Sequence, residues 1–248
     1  MAAAIVIAFL FGLAAGSFAT AAAHRVPRGM PLVFARSECP ACGAQIAARD
    51  NVPVLGWLVL RGRARCCGAP ISPRYPLTEL ATAALFAAVV AVHWDDPAEI
   101  ALDLILTTML AAVTLTDLEQ RIIPDRILLA GSILALAIVI PTDPGSLPER
   151  AIAAVGAGGL FFLAALAYPG GMGLGDVKLA AAIGLFLGRA VAPAVLFALI
   201  AGSAVGLALI ARHGSAARKM AIPFGPFLAL GAVLAMLVGE QLLDAYLG

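Results

Sequence analysis

Long apolar runs make up most of the chain, and short stretches of charge, proline or glycine separate them. Most of these runs approach the roughly 20 apolar residues that a helix needs to cross a bilayer, and they are longer than buried strands. We therefore predict an all-α, polytopic membrane protein with about eight transmembrane helices. The predicted spans are 2–23, 77–93, 98–116, 127–141, 151–168, 176–188, 191–211 and 221–247.

The composition supports the same fold class. Hydrophobic residues make up 62% of the 248 residues and charged residues only 12%, and the mean hydropathy is +1.00. This is more apolar surface than one soluble core can bury, so the bilayer has to act as the solvent. The net charge of +1 does not indicate a nucleic-acid partner.

The first span could be a cleaved signal peptide, because residues 19–23 are small. However, no basic residues precede it, while Arg25 and Arg28 follow it, which favours a retained helix. The predicted domains are therefore a first transmembrane helix (1–24), a loop domain (25–75) and a transmembrane domain (76–248).

The basic residues predict the orientation. Arg150 and Arg189 fall in loops on one side of the membrane, and the other fourteen of the sixteen fall on the opposite side. By the positive-inside rule, the 25–75 loop is cytoplasmic and both termini are external. The fourteen are Arg25, Arg28, Arg36, Arg49, Arg61, Arg63, Arg65, Arg74, Arg121, Arg126, Lys178, Arg212, Arg218 and Lys219.

Two of the spans next to acidic residues are short. A helix from Asp176 to Arg189 rises only about 20 Å, against a hydrocarbon core of roughly 30 Å. The simplest explanation is that Asp176 begins its helix in a water-filled recess below the membrane surface. Since the 127–141 span is also short and follows Asp117 and Asp125, we expect both acidic segments to share one recess.

Asp117 and Asp176 are the candidate catalytic pair. Two carboxylates in one apolar recess share a proton, so that one acts as a base and the other as an acid. Such a pair activates water for attack on a peptide carbonyl and needs no metal. Gly173 and Gly175 beside Asp176 would allow another backbone to approach closely.

A purely structural explanation also fits these acids. Asp176 could cap the first turn of its helix, and Asp117 could be a boundary residue that interacts with Arg121. Asp125 and Glu119 are alternative catalytic acids, although capping after Ile123-Pro124 is sufficient to explain Asp125.

All four cysteines lie in the loop domain. A Cys-x-x-Cys pair followed about two dozen residues later by two more thiols is typical of a small structural zinc site, which would stabilise a loop of some fifty residues. Adjacent cysteines make tetrahedral closure awkward, and the alternative is reduced thiols without a metal. His24, His93 and His213 show no ligand spacing. The candidate zinc ligands are Cys39, Cys42, Cys66 and Cys67.

Several motifs in the same order resemble the bacterial type IV prepilin peptidases. They are Gly16-Ser17-Phe18, Cys39 to Cys42, residues 50–58, 60–63 and 69–79, Asp117 with Ile123-Pro124-Asp125, and the segment from Gly173 to Lys178 with its G-x-G-D pattern.

The resemblance implies an inner-membrane aspartic endopeptidase with Asp117 and Asp176 as its catalytic pair. Such enzymes remove the leader of type IV prepilins and pseudopilins after a glycine at the cytoplasmic face. Many of them also methylate the new N-terminal residue with S-adenosylmethionine, an activity associated with a zinc-ribbon-like loop.

The sequence departs from the family pattern in this loop. Alignment places Ala64 where the third cysteine of the family stands, with Cys66 one residue before the fourth, and Gly56 replaces a common serine. A peptidase without methyltransferase activity is therefore an alternative. A second alternative is a transporter in which Asp117 and Asp176 relay protons, although no internal repeat supports it.

Overall fold

The computed structural model describes residues 1–32, 36–168, 171–214 and 222–247. In these ranges the regular structure is helical, and no β-strand occurs apart from two isolated β-bridges. The helices are α1 Ala2–Arg25, α2 Leu55–Val59, α3 Arg74–Val92, α4 Pro97–Gln120, α5 Asp125–Thr142, α6 Leu147–Ala167, α7 Leu174–Leu187, α8 Val191–His213 and α9 Gly225–Leu247.

Seven helical segments in the described ranges are long and apolar enough to cross a membrane. The predicted spans 176–188 and 191–211 fall within one of them, Leu174–His213, which contains α7 and α8. This merging accounts for the difference between eight predicted spans and seven segments. The all-α polytopic fold is thus confirmed, while Arg218, Lys219 and the first residue of the predicted 221–247 span lie outside the described residues.

The chain divides into two compact units, Met1–Trp94 and Asp95–Gly248. The first unit contains α1, the cysteine-bearing loop and α3, and the second contains α4 to α9. The predicted domain boundaries after residues 24 and 75 stay predictions.

Small residues bring α1 and α3 together in the first unit. A Cβ added to Gly12 would lie 2.5 Å from the Cα of Ala83, and one added to Gly16 would lie 2.7 Å from the Cα of Glu79. Two glycines four residues apart share a helix face, and this spacing is typical of closely packed membrane helices. The first unit therefore depends on the absence of side chains at these positions.

Several helix boundaries of the second unit follow from local sequence. Asp96 caps α4, because its Oδ1 accepts the N–H groups of Ala98 and Glu99, both at 3.0 Å, while Pro97 occupies the first helical position. At the other end, Arg121 adopts a left-handed conformation that terminates α4. This turn separates α4 from the start of α5.

Ion pairs also join helices of the second unit near their ends. Arg150 lies 3.1 Å from Glu99, and its guanidinium also donates to the carbonyl of Phe186 near the end of α7. Arg189 pairs with Glu240 and, at 3.4 Å, with Asp244. The two basic residues that the sequence places apart from the others are therefore both in ion pairs.

Candidate active site and metal centre

The ends of three helices place acidic side chains around one recess of about 270 Å³. Asp117 lies near the end of α4, Asp125 is the first residue of α5, and Asp176 lies in the first turn of α7. The structure thus brings the two predicted aspartates together. The other residues that line the recess are Arg121, Ile122, Ile123, Gly173, Gly175 and Lys178.

Asp117 is buried and anchored by a distant backbone group. Only 5% of its surface is exposed, and its Oδ2 accepts the N–H of Gly225, the first residue of α9, at 2.8 Å. A Cβ on residue 225 would lie 2.7 Å from the same oxygen. Only glycine therefore allows α9 to approach the carboxylate this closely.

Asp176 combines a capping contact with a position in the recess. It is the third residue of α7, and its Oδ2 accepts the N–H of Gly173 at 3.3 Å. The capping explanation therefore describes one of its contacts but does not account for its place in the recess. Gly175 is in close contact with Ile123, since an added Cβ would lie 3.0 Å from the Ile123 Cβ. The close approach at Gly175 is thus made within the chain itself.

The helix directions favour negative charge in the recess. Three helices begin at the recess: α5 at Asp125, which lines it, α7 next to the lining residue Gly173, and α9 at Gly225, which binds Asp117. The N-terminus of a helix carries partial positive charge from its unpaired N–H groups. These helix starts therefore stabilise carboxylates without placing a basic side chain against each one.

The two alternative acids have different surroundings. Asp125 forms an exposed ion pair with Lys178, in which both carboxylate oxygens lie 2.8 Å from the amine. Glu119 is exposed near the end of α4 and does not line the recess. Of these four acids, Asp117 is the buried one and Asp176 is half-buried.

Sequence reasoning missed Gly225. The segment Pro223-Phe224-Gly225-Pro226 indicates a helix start, because proline is favoured in the first turn. Nothing in this local pattern reveals a contact with Asp117, which lies 108 positions earlier.

The four cysteines form one cluster in the first unit. Their sulfur atoms all lie within 4.8 Å of one another, with Cys39 to Cys67 at 3.7 Å, Cys42 to Cys66 at 3.3 Å and Cys66 to Cys67 at 3.8 Å. Tetrahedral zinc with Zn–S bonds of about 2.3 Å places sulfurs about 3.8 Å apart. The cluster therefore fits a four-thiolate metal site, and the adjacent pair Cys66-Cys67 takes part in it.

The thiols of the cluster differ in acidity. Hydrogen bonds from the backbone N–H groups of Ala41 and Cys42 lower the pKa of Cys39 to about 7. A hydrogen bond with Cys42, together with burial, raises the pKa of Cys66 to about 12. Four thiols this close can all ionise only if a cation offsets their repulsion, which a divalent metal does.

A buried glutamate, the last residue of the 69–79 motif, anchors the loop in a way that the sequence did not predict. Glu79 on α3 is 6% exposed, and its Oε2 accepts the N–H of Val54 at 2.7 Å. Val54 has φ 60° and ψ −52°, and the Leu55 N–H donates to the Pro53 carbonyl at 2.6 Å, as in the rare, strained form of the γ-turn. The glutamate thus stabilises a turn that a β-branched residue rarely adopts.

Comparison with known proteins gives matches along almost the whole chain. Residues 10–93 match the bacterial peptidase A24 N-terminal domain, and residues 104–211 match the type IV leader peptidase family. The first range lies in the first unit and the second range in the second unit.

Relatives of similar length carry one name. The chain is 34% identical to the prepilin leader peptidase/N-methyltransferase of Bacillus subtilis, over 97% of each chain. It is 36% identical to that of Aeromonas hydrophila, over 97% of this chain and 93% of the relative, and 40% identical to that of Klebsiella pneumoniae, over 76% and 87%. No solved structure matches the chain.

Proposed function

The chain belongs to the type IV leader peptidase family, and on this premise we propose that it is a membrane aspartic endopeptidase that cleaves the leader peptides of type IV prepilins or pseudopilins and methylates the new N-terminal residue. Membership of the family confirms the resemblance found in the motifs. With seven apolar helical segments in its described ranges, the protein is a multi-pass bacterial membrane protein.

The observation that carries the peptidase assignment is the meeting of Asp117 and Asp176 in one recess. They lie on different helices, 59 positions apart, and each is anchored through Oδ2 to a backbone N–H. Anchoring of this kind sets the separation and direction of two carboxylates, as an acid–base pair requires.

In the proposed reaction, the pair shares one proton and binds a water molecule. The ionised carboxylate accepts a proton from the water while the water oxygen attacks the peptide carbonyl carbon. At the same time, the protonated carboxyl donates its proton to the carbonyl oxygen. As the C–N bond of this tetrahedral intermediate breaks, one of its hydroxyl groups returns a proton to the carboxylate that is now ionised, and the other, protonated carboxyl donates its proton to the leaving amine, so that the pair again holds one proton. The helix starts around the recess stabilise the remaining carboxylate charge.

The orientation of the enzyme belongs to the same proposal. We place the recess at the cytoplasmic face and both termini outside, because fourteen of the sixteen basic residues lie in loops or near span ends that the sequence assigns to one side. This arrangement exposes the recess to the basic leader of a prepilin, whose apolar helix stays in the bilayer.

The methyltransferase half rests on the name that the relatives share. S-adenosylmethionine would supply the methyl group, and we assign no residue of this chain to its binding. The four-cysteine cluster would hold a structural zinc ion through Cys39, Cys42, Cys66 and Cys67, and the metal would stabilise the loop.

Replacement of either aspartate tests the peptidase. We expect Asp117→Asn and Asp176→Asn to lose prepilin cleavage in membranes, because an amide neither accepts nor donates the catalytic proton. Glu119→Gln is the matched control, since it removes an exposed carboxylate that lies outside the recess on the same helix as Asp117. Unaltered cleavage by either asparagine variant would refute the assignment.

A methylation assay tests the second activity separately. Cleaved pilin, S-adenosylmethionine and the purified enzyme should give a pilin that is heavier by one methyl group in mass spectrometry. Cleavage without this mass change would support the peptidase-only alternative.

A further inference from the structure

The cysteine loop contains two turns with the same hydrogen-bond pattern. In the first knuckle, residues 38–45, the Gly43 N–H donates to the Cys39 carbonyl and the Cys39 N–H donates to the Ala44 carbonyl, both at 2.8 Å. An antiparallel bridge between Glu38 and Gln45 closes this turn, and Gly43 has φ +72°.

The second knuckle, residues 63–70, repeats each of these features 25 positions later. The Gly68 N–H donates to the Ala64 carbonyl at 2.7 Å, the Ala64 N–H donates to the Ala69 carbonyl at 2.8 Å, and Arg63 bridges Pro70. Gly68 has φ +71°. The backbone itself thus equates Cys42 with Cys67 and Cys39 with Ala64.

The second knuckle therefore lacks a thiol at one of its two ligand positions. Cys66 corresponds to Ala41 of the first knuckle, which is not a ligand position there. Its sulfur nevertheless lies 3.3 Å from that of Cys42 and 3.8 Å from that of Cys67. The fourth sulfur of the cluster comes from a neighbouring backbone position.

The residue between Ala64 and Cys66 is held by an ion pair. The Arg65 guanidinium donates to both carboxylate oxygens of Asp50, from Nε at 2.9 Å and from Nη2 at 2.8 Å. The Asp50 side chain is 8% exposed and the Arg65 side chain 52%, so the contact holds an exposed guanidinium against a shielded carboxylate. This contact ties the residue next to Cys66 to Asp50.

Gly56 in α2 sets the position of Asp50. A Cβ on residue 56 would lie 2.3 Å from the Asp50 carbonyl oxygen and 2.9 Å from its carbonyl carbon. Since both neighbours are backbone atoms, any side chain at 56 forces a shift between α2 and residue 50. The absence of a side chain at 56 and the displaced thiol at 66 are therefore connected through Asp50 and Arg65.

We infer that Cys66 is a displaced metal ligand that replaces the thiol missing at Ala64, and that Gly56, Asp50 and Arg65 are positioning residues for it. The inference rests on the proposed metal site. It predicts that the three positioning residues matter for metal binding only while residue 66 supplies the fourth thiolate.

The test measures metal affinity in the purified full-length chain under reducing conditions. Zinc affinity comes from competition with a chelator, and cobalt(II) absorption reports the number of thiolate ligands. Cys66→Ala should bind zinc more weakly and lose cobalt–thiolate intensity. The double variant Ala64→Cys/Cys66→Ala moves the thiol into the knuckle and should restore both.

The positioning residues are tested in both backgrounds. Gly56→Ala and Arg65→Gln should each lower zinc affinity roughly 10- to 100-fold in the natural sequence, and should have little effect in the double variant. Arg49→Gln removes an exposed charge beside Asp50 and is the matched control.

Three results would overturn the inference, and they are distinguishable. If the natural protein binds no zinc, the proposed metal site fails and the inference fails with it. If it binds zinc but Cys66→Ala binds equally tightly, only the displaced ligand is refuted. If Gly56→Ala and Arg65→Gln cost the same in both backgrounds, these residues support the fold and do not position Cys66. Circular dichroism shows whether each variant is folded.

Discussion

The aspartate recess and the cysteine cluster bring their functional side chains together in different ways. The recess joins the ends of helices, and Asp117 is anchored by an N–H from 108 positions away. The cluster joins two short turns, and its sulfurs come from residues at most 28 positions apart. A Cβ on residue 225 would already lie 2.7 Å from the Asp117 Oδ2, whereas the sulfur of Cys66 reaches the cluster from a position next to Cys67. The comparison therefore predicts a recess that is sensitive to small displacements and a cluster that tolerates a moved ligand.

Apart from the aspartates themselves, the largest effect is expected at Gly225. In Gly225→Ala the new Cβ would lie 2.7 Å from the Asp117 Oδ2, so the carboxylate or the start of α9 has to shift. A displacement of about 1 Å at a catalytic group can reduce turnover roughly 100-fold, and we expect a loss of this size in prepilin cleavage.

The matched control for this variant is Gly159→Ala. Gly159 lies in α6, and a Cβ there would meet no atom within 4 Å. Equal cleavage by the two alanine variants would show that the recess is less sensitive than the comparison implies.

A smaller effect is expected where the loop is anchored to α3. Glu79→Ala removes the acceptor of the Val54 N–H, and a lost hydrogen bond to a charged group costs about 1.5–3 kcal/mol. Amide hydrogen exchange in α2 should therefore become roughly 10- to 100-fold faster.

Val54→Gly tests whether backbone strain at residue 54 is the reason for the faster exchange in Glu79→Ala. Glycine adopts φ 60° at no steric cost, so adding Val54→Gly to Glu79→Ala should restore part of the protection. If the second substitution makes exchange faster still, the strained turn does not explain the role of Glu79.

The smallest effect concerns the pH dependence of the Asp50–Arg65 ion pair. The hydrogen bonds from Arg65 lower the pKa of Asp50 below its ordinary value of 3.8. The pair therefore contributes its full stability above pH 3.8, and this contribution is lost as the pH falls through the lowered pKa.

Amide exchange at residues 63–67 of the metal-free chain measures this dependence. Asp50→Asn should remove the part of the pH dependence of this exchange that comes from the ion pair. The part that comes from other acidic residues should stay the same. An identical pH profile in both proteins would show that the ion pair does not stabilise the second knuckle.

Much of the candidate site could be predicted from the sequence. Asp117 and Asp176 stand out because each lies at the edge of a long apolar run, where a charge is costly unless it serves a purpose. The four cysteines stand out as a group because thiols at this spacing are typical of metal sites. Their catalytic and ligand roles stay predictions, although the structure brings each set together.

The roles of Gly225 and Glu79 could not be found in this way. A glycine next to a proline resembles any helix start, and a glutamate near the start of α3 resembles a residue at a membrane edge. What gives each its importance is a single hydrogen bond to a group far away in the sequence. The pattern of nearby residues in the sequence does not predict such a bond.

The sequence by itself determined the membrane class, the helical fold and the chemistry of the candidate residues, because hydrophobic run length and side-chain type are local properties. Only the tertiary structure decided which groups meet. It brought the Gly225 N–H to Asp117 and the Val54 N–H to Glu79, and it placed the sulfur of Cys66 3.3 Å from that of Cys42. These pairings depend on how separate helices and turns pack, and packing is a property of the whole unit.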